Sequence, residues 1–174
     1  LFSQVGCDSC HIPALALDSP IYNDGVNSMT FDMTTTGEAP RLEPAPGGGA
    51  IVRAYTDLKL HNLCDHEDHP DPIRYYCNEQ RRGDPRQPRS DWTKTVRPGN
   101  EFFLTKKLWE VGNSAPYGHR GTLTTIYEAI TLHAGEARES RDAYEALTRD
   151  ERLDVVKFLK TLQIPNEPGA ILVE

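Results

Sequence analysis

The 174-residue chain carries 19 basic against 26 acidic residues, a net charge of −7, which argues against nucleic acid as a partner and leaves docking to a basic protein open. It is long enough for one domain, yet with 37% hydrophobic residues it has few side chains to fill a core, a shortfall that a buried apolar cofactor would cover. No apolar run approaches the roughly 18 residues of a membrane-spanning helix, so no membrane span is expected.

The first expected element is a short helix over residues 1–11, ending in Val5-Gly6-Cys7-Asp8-Ser9-Cys10-His11. Two cysteines at this spacing can bind zinc, cycle as a redox dithiol or attach haem through thioether bonds. The histidine directly after the second cysteine makes this the c-type haem attachment pattern. The reason is mechanical: two thiols reach the two vinyl groups of one porphyrin, while the adjacent imidazole swings under the ring as proximal iron ligand. A redox dithiol does not need that histidine, and a zinc ribbon needs a second cysteine or histidine pair at ribbon spacing. One covalently attached haem c is therefore expected on Cys7, Cys10 and His11. The chain opens at Leu1-Phe2, inside the expected helix, without an initiator methionine or secretory signal, and reads as processed or as part of a longer polypeptide.

From Pro13 to about residue 50 the chain is rich in Pro, Gly, Thr and Asp and reads as a long loop over a haem edge. Residues 51–63, "IVRAYTDLKLHNL", form a packed segment with strand or turn character. A second long polar stretch runs over 64–100, a length that marks a functional or disordered segment in a compact domain. Cys64 and Cys77 lie within it. A disulfide is the first reading, because covalent haem and disulfides both point to a periplasmic or extracellular compartment; it would contribute about 3 kcal/mol. A zinc site of Cys64, His66, His69 and Cys77 is the alternative, although Pro70 and Pro72 suit an exposed loop better.

Helical signals dominate after residue 100. Thr125 is followed three residues later by Glu128, a capping box, and Ile126, Ala129, Ile130 and His133 then share one helical face. Thr148 and Glu151 repeat the device for a last helix with Leu153, Val156, Phe158, Leu159 and Leu162 on its apolar side and Pro165 as its stop. The expected fold is all-α: a single cytochrome c-like haem domain over residues 1–174, with few helices and long irregular loops.

A second ligand opposite His11 would make an electron carrier; an open iron would make an enzyme. The candidates are His61, His66, His69, His119, His133, Met29 and Met33. His133 leads, because periodicity places it on an apolar face. A histidine there is otherwise a hydrogen-bonded core residue. His61 is the alternative ligand, or else supports the site by hydrogen bonding to a ligand or propionate. Met29 and Met33 sit in a Thr-rich loop where methionines usually fill gaps, and His66 and His69 read as solvated. His119, after a turn, suits shaping access or delivering protons, and is the candidate catalytic residue.

The segments "GCDSCH", "AYTDLKLHNL", "KKLWEVGNSAPYGHRGTLTTIYEAITLHAGEA" and "ERLDVVKFLKTLQ" resemble, in this order, the C-terminal haem domain of bacterial di-haem oxidoreductases. That family includes the di-haem cytochrome c peroxidases and their thiol-oxidoreductase relatives. The block from Leu108 to Ala137 is the most specific part. In the family a Pro-Tyr-x-His-Asp-Gly segment leads into the helix that carries the distal ligand, commonly methionine. Tyr117, His119 and Gly121 match that segment and His133 falls where the methionine stands, so the resemblance implies His11 and His133 as iron ligands. Arg120 replaces the family's aspartate and could place a cation near a propionate. "LHNLCDHE" departs from the family's Leu-His-Asp-Met-Gly. The family's N-terminal domain, with its own haem and peroxide site, has no counterpart here.

The leading expectation is electron transfer through a six-coordinate haem, alone or as a domain of a di-haem oxidoreductase, with a redox protein, another haem domain or a subunit as partner. The second is a peroxidase-like enzyme with an open distal side served by His61 or His119. The third is a docking module that keeps haem as a folding core.

Overall fold

The computed structural model describes residues 1–23, 25–26, 30–35, 41–66, 68–76 and 102–164. Within them lie strands β1 (Leu15–Leu17), β2 (Ile21–Asn23), β3 (Thr30–Asp32), β4 (Glu43–Pro44), β5 (Ala50–Val52), β6 (Leu60–Asn62) and β7 (Phe102–Leu104), then helices α1 (Ile126–Thr131), α2 (Arg138–Ala146) and α3 (Arg149–Thr161). The all-α expectation is thus overturned: the fold is mixed, with three antiparallel sheets among the described residues. One sheet has the order β1-β5-β4, one pairs β2 with β3, and one pairs β6 with β7.

Each strand is two or three residues long, too short for period-2 alternation to register, and the prolines and glycines between them carry the composition of loop. The partners are also distant in sequence: Leu15 pairs with Val52, and Leu60 with Leu104. Arg53 ties the first sheet together through an ion pair with Glu43 at 2.9 Å, and Trp109 Nε1 donates to the Arg53 carbonyl at 2.5 Å.

The expected N-terminal helix is instead a series of turns leading into a 3-10 turn at Cys7–Ser9. Gly6, with φ +80°, breaks it, and a Cβ there would stand 2.9 Å from Ser140 Oγ of α2. Both predicted capping boxes form. Thr125 accepts from Glu128 N and Thr148 from Glu151 N, while each glutamate reaches back to its cap. Helix α1 ends at Thr131, two residues before His133. In α3 Leu153 is 45% exposed, and Val155, Leu159 and Leu162 supply the buried stripe. Helix α2 was not foreseen, its sequence Arg-Glu-Ser-Arg-Asp-Ala-Tyr-Glu-Ala being largely polar. Pro165 lies outside the described residues.

The core joins these helices to the N-terminal turns: Val5, Tyr55, Ile126, Tyr144, Val155, Leu159 and Leu162 are buried together. Phe2, Tyr55 and Phe158 pack ring against ring at 5.3–5.9 Å between centroids. Each such aromatic contact adds about 0.5–1.5 kcal/mol beyond area burial. This cluster fixes the cysteine motif against α3.

Candidate haem site

The described structure encloses a cavity of about 710 Å³, lined among others by Cys7, Cys10, His11, His61, His119 and His133. That volume falls in the range of about 300–1,000 Å³ usual for cofactor pockets. Six residues singled out from sequence, spread from position 7 to 133, are thereby brought to one place. Met33 is not on its wall; its backbone bridges Pro20 and Leu42. His66 is exposed and bonded to Asp68, His69 Nδ1 accepts from Asp71 N, and neither lines the cavity. Met29 and Cys77 lie outside the described residues. Cys64 is not one of the free thiols, which are Cys7 and Cys10.

His11 Nδ1 donates to the Tyr55 carbonyl at 3.0 Å, and His133 Nδ1 donates to the Ala129 carbonyl at 2.7 Å. A proton fixed on Nδ1 leaves the Nε2 lone pair for a metal. Burial pushes the His11 imidazole down to about 4, partly offset by Asp57, and burial likewise lowers His133. The two rings are near enough that a charge on His11 disfavours one on His133. Two neutral imidazoles facing one cavity at neutral pH are what iron ligation asks for, because ligands must bind deprotonated.

The Cys7 thiol is pushed up to about 11, mainly by burial and then by Asp8, and burial also raises Cys10. Redox dithiols and zinc cysteines work as thiolates, stabilised by lowered pKa values. Here the environment does the opposite, which fits thiols destined for thioether bonds. Arg141 adds a donor to the wall: its Nη atoms bond Glu145 and Asp142, while its buried Nε has no hydrogen-bond partner and suits an acceptor on a bound group.

His61 has a different environment. Its Nε2 bonds Asp57 and its Nδ1 bonds Glu136, each at 2.8 Å, and these hydrogen bonds raise its pKa. Burial opposes ionisation of Asp57, but hydrogen bonds from His61, Lys59 N and Thr105 prevail and hold its carboxyl at about 2. Both His61 nitrogens are committed to carboxylates, so no lone pair is left for iron. The His119 ring is exposed at the cavity edge, packed against Phe103 at 5.3 Å. Arg120 stacks over the Tyr75 ring at 5.6 Å.

Sequence reasoning missed the groups that hold His133. The Tyr76 ring meets it edge-on at 5.5 Å and Phe103 at 5.8 Å, and burial pushes the Tyr76 hydroxyl up to about 12. Behind them Asp65, 5% exposed, pairs with Arg138 and accepts from Gly135 N at 2.9 Å and Ile73 N at 2.7 Å. The Arg138 hydrogen bond first, then these amides, hold the Asp65 carboxyl far below its usual range despite burial. Gly135 has φ +56°, and a Cβ there would lie 2.4 Å from Asn62 O. The aromatic pair Tyr75-Tyr76 beside a cysteine was the available signal in a stretch otherwise read as polar loop.

The chain is similar to a cytochrome-c peroxidase. Over 170 residues it is 27% identical to cytochrome-c peroxidase IdrP1 of Denitromonas iodatirespirans, covering 94% of this chain and 39% of that protein. The likeness therefore spans well under half of the relative's length. No family model matches the chain, and no solved structure matches it. No helix among the described residues is long and apolar enough to cross a membrane.

Proposed function

We propose that this chain is a c-type haem domain that transfers electrons, with haem c bound to Cys7 and Cys10 and its iron held between His11 and His133. The observation that carries this reading is that His11 and His133 line one cavity with Cys7 and Cys10, each ring oriented through Nδ1 by a backbone carbonyl and kept neutral by burial. Haem supplies one-electron chemistry, and two histidines set a lower potential than His/Met ligation. Cys7 and Cys10 would anchor the ring, Tyr76 packs against His133 and Phe103 against Tyr76, and Arg141 Nε would offer a donor to the bound group. A Cys64–Cys77 disulfide and covalent haem together favour a periplasmic or extracellular location. Expression with a haem c maturation system should give a haem stain that survives denaturing electrophoresis, lost in Cys7→Ala/Cys10→Ala. A pigment that washes out on denaturation would refute the attachment.

The similarity to a cytochrome-c peroxidase favours a second reading, in which His119 at the cavity edge serves peroxide chemistry. It requires rapid peroxide turnover that His119→Ala abolishes without changing the resting spectrum. Electron transfer alone predicts negligible turnover in both proteins.

A further inference from the structure

The net charge of −7 hides a local reversal at the mouth of the cavity. Strands β6 and β7 pair there, with Leu60 opposite Leu104 and Thr105 N donating to the Lys59 carbonyl at 2.9 Å. Leu58, Leu60 and Leu104 are 63%, 48% and 43% exposed and make this surface apolar. Lys59, Lys106 and Lys107 are exposed around it and make no ion pair among the described residues. Lys107 rests over the Trp109 ring at 5.1 Å.

Acidic groups lie beside the patch, but they are already engaged. Asp57 is nearly buried, and His61 bridges it to Glu136. Three exposed ammonium groups thus stand at the rim, against a nearly buried Asp57 and a half-exposed Glu136 that share His61 between them. The rim also borders the candidate haem site: Leu104, Lys106 and Lys107 line the cavity, as does His61 of β6.

We infer that the β6–β7 rim is the docking surface for an acidic one-electron carrier, which exchanges its electron through the cavity that the rim borders. This rests on the haem reading above. An apolar centre ringed by one sign of charge is the anatomy of a small, transient interface, in which charge steers encounter and the apolar centre lets the partners close. The step is a single electron passing from the ferrous iron to the oxidised carrier, with no proton or bond exchanged. The net charge leaves a basic partner open; the rim favours an acidic one.

The test is stopped-flow oxidation of the reduced protein by an acidic blue-copper protein and by basic ferric cytochrome c, across a range of salt concentrations. The acidic oxidant should react faster at low salt, and its rate constant should fall about tenfold or more as salt rises. Lys59→Glu/Lys106→Glu/Lys107→Glu should slow it by roughly ten- to a hundredfold at low salt, while Lys157→Glu on α3 should leave it unchanged. Faster reaction with basic cytochrome c, or a charge-reversed rim that reacts like wild type, overturns the proposal. So does a dimer that the triple variant dissolves, since the rim would then bind a second copy of the chain. Spectra recorded beforehand separate loss of haem from loss of docking. If no haem attaches, carbodiimide cross-linking of the unloaded chain to the same blue-copper protein through these lysines reads docking directly, and its absence overturns it.

Discussion

The two imidazoles facing the cavity are held by the same bond and supported in opposite ways. His11 donates to the carbonyl of Tyr55, 44 residues away, whereas His133 donates to Ala129, four residues back, at the end of its own helix. The first orientation is a tertiary product and depends on the core. The second is local and needs tertiary structure only as a brace. Tyr55 sits in the left-handed region at φ +53°, which costs about 1 kcal/mol or more, and its buried ring against Phe2 and Phe158 offsets that strain. His133 is instead braced from outside, by Tyr76 and by the Asp65–Arg138 pair that ties Cys64–Tyr76 to the start of α2.

The largest effect should come from breaking the side that depends on the core. Tyr55→Ala removes a buried ring and should cost about 3–5 kcal/mol in denaturant unfolding. It should also weaken the haem spectrum, because the His11 acceptor is then loosely held. Asp65→Asn leaves Arg138 only Asp142, at 4.0 Å, as an anion and should cost about 3 kcal/mol, as loss of one partner of a buried pair does. Its spectral effect should fall on the His133 side, as a mixture of low- and high-spin forms. If either variant disturbs the other's ligand instead, the division between the two sides is wrong.

The smallest effect concerns His61, which serves neither imidazole as a ligand. Its raised pKa means that the fold favours the charged ring. Its contribution is complete below the ordinary value of 6.5 and is lost as pH rises through the higher folded value. Asp57, held at about 2, contributes above its ordinary 3.8 and loses that contribution as pH falls towards 2. The thermal midpoint should therefore drop by a few degrees from neutral to mildly alkaline pH, and His61→Gln should flatten that slope. A slope that survives the substitution would place its origin elsewhere.

The residues that meet at the cavity, Cys7, Cys10, His11 and His133, were legible in sequence because they belong to short local patterns: Cys-x-x-Cys-His in one case, a capped helix with an apolar face in the other. The periodicity of Ile126, Ala129, Ile130 and His133 pointed the right residues at the cavity even though α1 stops at Thr131. The strands were not legible. They are short, β1 pairs with β5 and β6 with β7 across tens of residues, and the prolines and glycines around them imitate loop. Tyr76, Asp65 and Arg138 were hidden for the same reason, since nothing local marks Asp65 as the carboxylate that meets an arginine 73 residues later. Composition also says nothing of local charge: three exposed lysines gather at the rim of a chain whose net charge is −7.

Electron paramagnetic resonance of the ferric haem-loaded protein, compared with His133→Ala, tests the pairing of the two imidazoles most directly. The account predicts a low-spin, six-coordinate signal in the wild type that becomes high-spin in the variant. A high-spin wild type, or a low-spin signal that His133→Ala leaves unchanged, would contradict it.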